Sequence, residues 1–88
     1  MPSQTDADAM FLEIITPEKK VFSGEVTSVH LPGTMGRFQV LKNHAPVIST
    51  LVKGDVRFSN ESGTTAVSIS GGVAEVRENR ITVLAGAA

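Results

Sequence analysis

Short runs of β-branched residues, separated by turn-forming residues every eight to twelve positions, restrict this 88-residue chain to few folds. Within the runs, apolar and polar residues alternate with a period of two, which is typical of strands that bury one face. The 3.6-residue apolar spacing of an amphipathic helix does not persist beyond about two turns anywhere in the chain. The pattern therefore predicts an all-β domain.

The runs predict nine strands, at residues 11–16, 21–23, 25–31, 37–41, 47–52, 55–59, 65–70, 73–77 and 80–85. Alternation is cleanest in the second half, where six apolar side chains are expected to point into a core: Val56, Phe58, Val67, Ile69, Ile81 and Val83. Turn formers at 53–55, 60–63 and 78–79 predict hairpins between the later strands. An antiparallel β-sandwich or flattened barrel of about nine or ten short strands would bury one face of each.

The first predicted strand differs from the others because it is apolar on both faces. Met10, Leu12 and Ile14 lie on one face, and Phe11 and Ile15 lie on the other. The second face either meets a partner or is covered by another part of the same chain.

Length and composition limit the possible classes of protein. A chain of 88 residues forms one domain, and we expect a flexible polar tail at 1–9 and the folded domain at 10–88. The start lacks the charge and apolar pattern of a signal peptide, and no run approaches the roughly 18 apolar residues of a membrane helix. These features predict a cytosolic protein. A net charge of −1, with four Phe and no Trp or Tyr, argues against nucleic-acid binding.

Motifs of catalysis and cofactor binding are missing from the sequence. It contains no phosphate-binding loop, no dinucleotide fingerprint and no serine nucleophile elbow. With no cysteine it has neither disulfides nor thiolate zinc ligands. Gly71-Gly72 lies between two predicted strands, so we interpret the pair as a sharp corner and not as a ligand-binding loop. We expect no cofactor and no metal site.

The two histidines are the remaining candidates for chemistry. His30 lies in a strand pattern, without the further His or Cys ligands that would complete a metal site, and is expected to be a partly buried or edge side chain. His44 stands in "KNHAP", where Pro46 favours an extended Ala45, so the segment predicts a corner between strands. At a corner the histidine can bond a neighbouring carbonyl or contact a partner. Catalysis would need an orienting acid and a nucleophile, for which the sequence offers no candidates.

Three functions stay open on the residues alone. The chain could be a structural, partner-binding subunit, a small β-sandwich module for a sugar or other ligand, or a minimal enzyme that uses His44. Sugar-binding modules usually present aromatic platforms, which four Phe without Trp or Tyr supply poorly.

Four segments, taken in order, carry a family resemblance that covers about residues 11–85. "VFSGEV", "LPGTMG", "NHAPVISTLVKGDVRF" and "SISGGVAEVRENRITVLA" follow one another as they do in a known domain. The chain resembles the N-terminal β-sandwich domain of the epsilon subunit of F-type ATP synthases. The most specific pieces are those at 22–24, 44–46 and 70–76.

The resemblance implies a noncatalytic rotor subunit that binds the gamma subunit and the ring of c subunits. Such a subunit would lie peripherally at the cytoplasmic face of the bacterial inner membrane and help couple ion translocation to ATP synthesis. By the same resemblance, the residues expected at the gamma and ring surface are Pro32, Gly33, Thr34, Met35, Gly36, Arg37 and His44.

The chain departs from the family pattern in three places. Lys42-Asn43 stands where the family usually has Pro-Gly, and asparagine tolerates the left-handed conformation well enough for the corner to survive. Arg37 stands where the family often has an acid, which reverses the sign of an expected ring contact. The sequence ends at "ITVLAGAA", without the helical hairpin of most members, and we expect a naturally short epsilon subunit.

Overall fold

Nine strands make up most of residues 9–86, which are the residues described by the computed structural model. They are β1 Met10–Ile15, β2 Lys20–Val26, β3 Ser28–Gly33, β4 Gly36–Val40, β5 Val47–Leu51, β6 Gly54–Asn60, β7 Gly63–Ile69, β8 Gly72–Arg77 and β9 Arg80–Ala85. The prediction of an all-β fold is confirmed. The predicted tail at 1–9 lies, except for its last residue, outside the described residues.

The strands form one curled sheet whose two halves face each other. Its order is β2-β1-β9-β8-β5-β3-β6-β7, and β4 pairs with the free side of β3. We call β2-β1-β9-β8-β5 the first half-sheet and β4-β3-β6-β7 the second half-sheet. The pair Gly33–Leu51 joins them. At the other side, the rings of Phe22 and Phe58 lie 4.3 Å apart between centroids and connect β2 to β6 across the core.

One strand pair runs against the predicted direction. β1 and β9 are parallel neighbours, with Leu12 opposite Ile81, so the sheet is mixed and the prediction of a purely antiparallel arrangement is wrong for this pair. Parallel neighbours need a long connection, and here the connection is the rest of the domain between β1 and β9. Alternation identifies which face of a strand is buried but gives no information on the direction of its neighbour.

The core forms where the inner faces of the two half-sheets meet. Five of the six side chains predicted from alternation are buried, and the sixth, Val67, is partly buried and packs against them. From β1, Met10, Leu12 and Ile14 join the same cluster. Burial of these aliphatic side chains contributes about 1.5–3 kcal/mol each to folding.

The break between the second and third strands lies at Thr27 and not at the predicted Gly24. Gly24 is paired opposite Leu12 inside β2, and a Cβ there would lie 3.2 Å from the ring of Phe22. The aromatic ring therefore covers the glycine, and the strand continues through it. Thr27 donates its backbone N–H to the carbonyl of Ser59 at 2.9 Å, as the chain passes from the first half-sheet to the second.

Two of the three predicted hairpin turns are confirmed. Residues 60–63 connect the antiparallel pair β6–β7, and Glu78-Asn79 connects β8–β9 with φ of 49° and 60°. The third prediction, at 53–55, is wrong as a hairpin, because β5 pairs with β8 and β3 while β6 pairs with β3 and β7. The chain turns there from one half-sheet into the other.

Gly71-Gly72 is the sharp corner that its sequence predicts. Both residues have positive φ, 139° and 151°, which side chains rarely tolerate. A Cβ on Gly72 would also collide with the carbonyl oxygen of Leu84 on the neighbouring strand. The two glycines thus allow β8 to begin close against β9.

Candidate partner-binding surfaces

Six of the seven expected contact residues form the tight hairpin between β3 and β4. Its first two residues are buried and its last four are exposed; the six are Pro32, Gly33, Thr34, Met35, Gly36 and Arg37. A Cβ on Gly33 would lie 2.8 Å from the carbonyl oxygen of Gly36, so the close turn requires glycine there. Gly36 itself has a φ of 124°.

Hydrogen bonds hold this hairpin against the end of β5. Thr34 donates its backbone N–H to the carbonyl of Thr50 at 3.0 Å, and the two hydroxyls are 2.8 Å apart. Val52 donates its N–H to the carbonyl of Pro32 at 2.8 Å. At the tip of this anchored turn the Met35 side chain is 98% exposed. The hairpin therefore presents an apolar side chain to solvent from a fixed backbone.

Arg37 extends from the hairpin toward the start of β6. Its guanidinium donates a hydrogen bond to the carbonyl of Asp55 at 2.9 Å. The carboxylate of Asp55 lies 3.6 Å from Arg57 and accepts a bond from the Ser68 hydroxyl at 3.3 Å. Arg37 is exposed, so its positive charge lies at the surface.

His44 lies in a compact corner, as predicted. Asn43 has a φ of 69°, which confirms that asparagine can occupy the left-handed position. The N–H of His44 donates to the carbonyl of Leu41 at 3.1 Å, and its ring Nδ1 lies 2.7 Å from the carbonyl of Ala45. The predicted local bond to a neighbouring carbonyl is therefore present.

The structure does not bring His44 together with the other six residues. The hairpin precedes β4 and the corner follows it, so they lie at opposite ends of a strand of about 13 Å. The hairpin borders Thr50 and Val52 on β5 and its exit, whereas the corner borders the β8–β9 turn through Asn79. They form two separate surfaces.

His30 is partly buried on β3, as expected. Its cross-strand neighbours are Gln39 on β4 and Arg57 on β6, so the ring lies on the outer face of the second half-sheet. Residues 9–86 contain no group of three or more His, Cys, Asp or Glu side chains arranged to hold a metal ion.

The outer face of the first half-sheet carries an apolar surface that was not predicted from the sequence. Val73 pairs with Leu84, and Leu84 pairs with Ile15 across three adjacent strands. Ile48 on β5 is 72% exposed, Leu84 is 54% exposed and Val73 is 37% exposed. We call Ile15, Ile48, Val73 and Leu84 the apolar face. The two apolar faces predicted for the first strand signalled the part of this surface that Ile15 forms.

The outer face of the second half-sheet is different in character. It carries His30, Gln39, Arg57, Ala66 and Ser68. Among the described residues, no large exposed apolar side chain lies in β3, β4, β6 or β7. In the part of the chain that the structure describes, the large exposed apolar side chains of the sandwich strands therefore lie on the first half-sheet and not on the second.

Comparison with known proteins identifies the family. The family model described as "ATP synthase, Delta/Epsilon chain, beta-sandwich domain" matches residues 9–88. The chain belongs to this family. The resemblance expected from the sequence is thereby confirmed over almost the whole chain.

Several relatives share the name "ATP synthase epsilon chain". The chain is 51% identical over 77 residues to the protein of Pelotomaculum thermopropionicum, aligning 88% of this chain with 58% of that one. It is 46% identical to the protein of Chlorobium limicola, of which it covers 88%. The chain thus spans little more than half the length of the first relative and most of the second.

Solved structures agree with the fold. A chain in the cryo-EM structure of the Euglena gracilis mitochondrial ATP synthase, OSCP/F1/c-ring, superposes with a TM-score of 0.81 at 20% identity, covering 88% of this chain and 50% of that one. A chain in the Tetrahymena thermophila mitochondrial ATP synthase central stalk/c-ring structure gives 0.73 at 12% identity, covering 89% and 63%. Within residues 9–86 there is no helix of the length and apolarity needed to span a membrane.

Proposed function

We propose that this domain is a noncatalytic rotor subunit of an F-type ATP synthase that binds the gamma subunit and the c ring. It helps couple ion translocation to ATP synthesis and lies peripherally at the cytoplasmic face of the bacterial inner membrane. It uses no cofactor, and ATP turnover occurs elsewhere in the complex. The family match over residues 9–88 is the observation that carries the proposal.

The apolar face is the surface we assign to the gamma subunit. Ile15, Leu84 and Val73 lie next to one another on β1, β9 and β8 and form a patch, and Ile48 on β5 lies diagonally across from Val73. Contiguous exposed apolar side chains on small domains mark protein interfaces, and the apolar core of an interface supplies most of its binding energy. Two acidic side chains share this outer face: Glu75 lies directly opposite Ile48, and both Glu75 and Glu13 lie opposite Thr82, so they border the patch on one side.

The β3–β4 hairpin is the surface we assign to the c ring. Met35 is exposed at its tip while the backbone beneath it is anchored to β5. Burying an exposed methionine on a fixed backbone loses little backbone entropy and gains apolar contact. Arg37 beside it adds a positive charge, so we assign an acidic group to the ring surface that faces it. The His44 corner contributes a second, separate contact.

Stiffness suits the domain to this role. Every strand is hydrogen-bonded to at least one neighbour, and the interior is filled by apolar side chains from both half-sheets. Interiors packed to a density of about 0.74 compress little, so force applied at one surface reaches the other without much deformation. The domain would then transmit torque between its partners and keep them at a fixed relative position.

Capture by purified partners tests the proposal. The 88-residue chain, immobilised and mixed with the cognate gamma subunit and c ring, is expected to retain gamma and to retain the ring when gamma is present. The isolated chain is expected to neither hydrolyse nor synthesise ATP. Failure to capture gamma under conditions where the chain is folded by circular dichroism would overturn the rotor assignment.

A further inference from the structure

The His44 corner contains no glycine at the position that needs a positive φ. Asn43 holds a φ of 69° there, and a left-handed conformation is less favourable for asparagine than for glycine. No proline precedes it to restrict the chain, since the sequence reads Leu41-Lys42-Asn43. Asparagine tolerates this conformation, and a contact from outside the corner would stabilise it further.

Two hydrogen bonds between Asn43 and Asn79 stabilise the positive φ of Asn43. Asn43 donates its backbone N–H to Oδ1 of Asn79 at 2.6 Å. Asn79 in turn donates from Nδ2 to Oδ1 of Asn43 at 3.4 Å. We call this reciprocal arrangement the amide clasp. It joins the corner to a turn that lies 36 residues away in the sequence.

The position of Asn79 is fixed by contacts other than those with the corner. It occupies the two-residue β8–β9 turn at a φ of 60°, as in the type I′ turns that match the twist of paired strands. Its carbonyl accepts the N–H of Phe11 at 2.9 Å. The guanidinium of Arg80, the next residue, lies 4.8 Å from the centre of the Phe11 ring. The clasp thus ties the corner to β1 and β9.

We infer that Asn79 is a positioning residue for the partner contact made by His44. The inference rests on the proposed function, in which the corner meets a rotor partner. By fixing the backbone of Asn43, the clasp fixes the direction in which the following residue leaves the corner. The His44 ring then keeps its Nδ1 at 2.7 Å from the carbonyl of Ala45.

This geometry also assigns the chemistry of the partner group. A carbonyl oxygen can only accept a hydrogen bond, so Nδ1 carries the proton that it donates to Ala45. In the neutral ring Nε2 is then an acceptor. For the neutral ring, the partner group that fits Nε2 is a hydrogen-bond donor, such as a hydroxyl, an amide or a guanidinium.

The variant Asn79→Gly tests the inference with little backbone strain, because glycine accepts the positive φ of this turn. Amide hydrogen exchange of Asn43 is expected to accelerate about five- to tenfold in the 88-residue chain, as for loss of one hydrogen bond. The ¹⁵N shifts of the His44 ring are expected to move toward a mixture of tautomers. Capture of gamma with the c ring is expected to weaken about threefold or more.

Asn60→Gly is the matched control. Asn60 is the last residue of β6, and its Oδ1 accepts the backbone N–H of Ser62 in the following turn at 2.9 Å, so the control removes a bond between an asparagine side chain and a backbone N–H within another hairpin. It is expected to leave the Asn43 exchange rate, the His44 shifts and capture unchanged. Equal effects of the two variants would overturn the inference, as would an Asn43 exchange rate that changes less than twofold in Asn79→Gly.

His44→Ala separates failure of the inference from failure of the proposed function. If His44→Ala weakens capture and Asn79→Gly does not, His44 meets a partner without help from Asn79 and the inference is wrong. If neither variant weakens capture, the corner is not a partner contact, and both the inference and that part of the proposed function are wrong. Loss of capture in both, with retained melting temperature, supports both.

Discussion

Val73 on β8 lies directly opposite Leu84 on β9, and both side chains face away from the core. Cross-strand neighbours on an outward face are usually polar in a domain that is solvated on that face. Here the apolar pair continues to Ile15 on β1. The relationship gives one outer side of the sandwich the character of an interface.

We predict that Leu84→Glu weakens binding to the gamma subunit by at least tenfold, because it places a charge at the centre of the apolar face. Its effect on the free energy of unfolding is expected to stay within about 0.5 kcal/mol, since Leu84 is 54% exposed. Surface plasmon resonance and urea denaturation measure the two quantities. Ala66→Glu, on the exposed outer face of the second half-sheet, is the control and is expected to change neither.

We predict that Met35→Gln weakens association with the c ring several-fold while Met35→Leu preserves it. Leucine keeps an apolar side chain of similar volume, whereas glutamine adds a polar group that would be desolvated on binding. Neither change is expected to lower stability measurably, since Met35 is 98% exposed. Equal ring binding by both variants in a pulldown with the gamma–ring assembly would show that the hairpin tip is not buried there.

We predict that Arg37→Glu slows association with the ring. The difference in association rate between this variant and wild type is expected to shrink as salt rises from about 50 to about 500 mM, because the Debye length then falls about threefold. The Debye length governs the effect because Arg37 is exposed. Arg57→Gln, which removes a positive charge from the outer face of β6, serves as the comparison. Faster association of Arg37→Glu at low salt would mean that the facing group on the ring is basic.

We predict that Gly72→Ala destabilises the fold by more than about 2 kcal/mol. It combines an unfavourable φ of 151° with a collision between the new Cβ and the backbone of Leu84. Gly63→Ala is the matched comparison because its φ is 121° with no atom within 4 Å of the new Cβ. It is expected to cost only about 1 kcal/mol. Chemical denaturation of both variants measures the difference, and equal losses would refute the role given to packing at Gly72.

Features that depend on local chain preference could be predicted from the sequence. Alternation around Arg57 and Thr82 identified core residues in β6 and β9, and the tolerance of asparagine for positive φ predicted the conformation of Asn43. The corner at Gly71-Gly72 followed from the same kind of reasoning. In each case the physical cause acts within a few residues, so the sequence pattern contains it.

Features that depend on neighbours distant in sequence could not be predicted. The parallel pairing of β1 with β9 depends on how the whole chain returns, and Gly24 remains in a strand because the Phe22 ring covers it. The apolar face was missed since Ile15 joins Leu84 only when β1 pairs with β9, a strand about 70 residues later in the chain. The bond from Asn79 to Asn43 likewise exists only in the folded chain.

The central claim is that the sandwich binds the gamma subunit through its apolar face. Isothermal titration of the 88-residue chain into the purified cognate gamma subunit tests it most directly. We predict saturable one-to-one binding with a negative heat-capacity change, as expected for burial of apolar surface, and at least tenfold weaker binding for Leu84→Glu. Absence of binding by the folded wild-type chain, or equal affinity of wild type and Leu84→Glu, would contradict the claim.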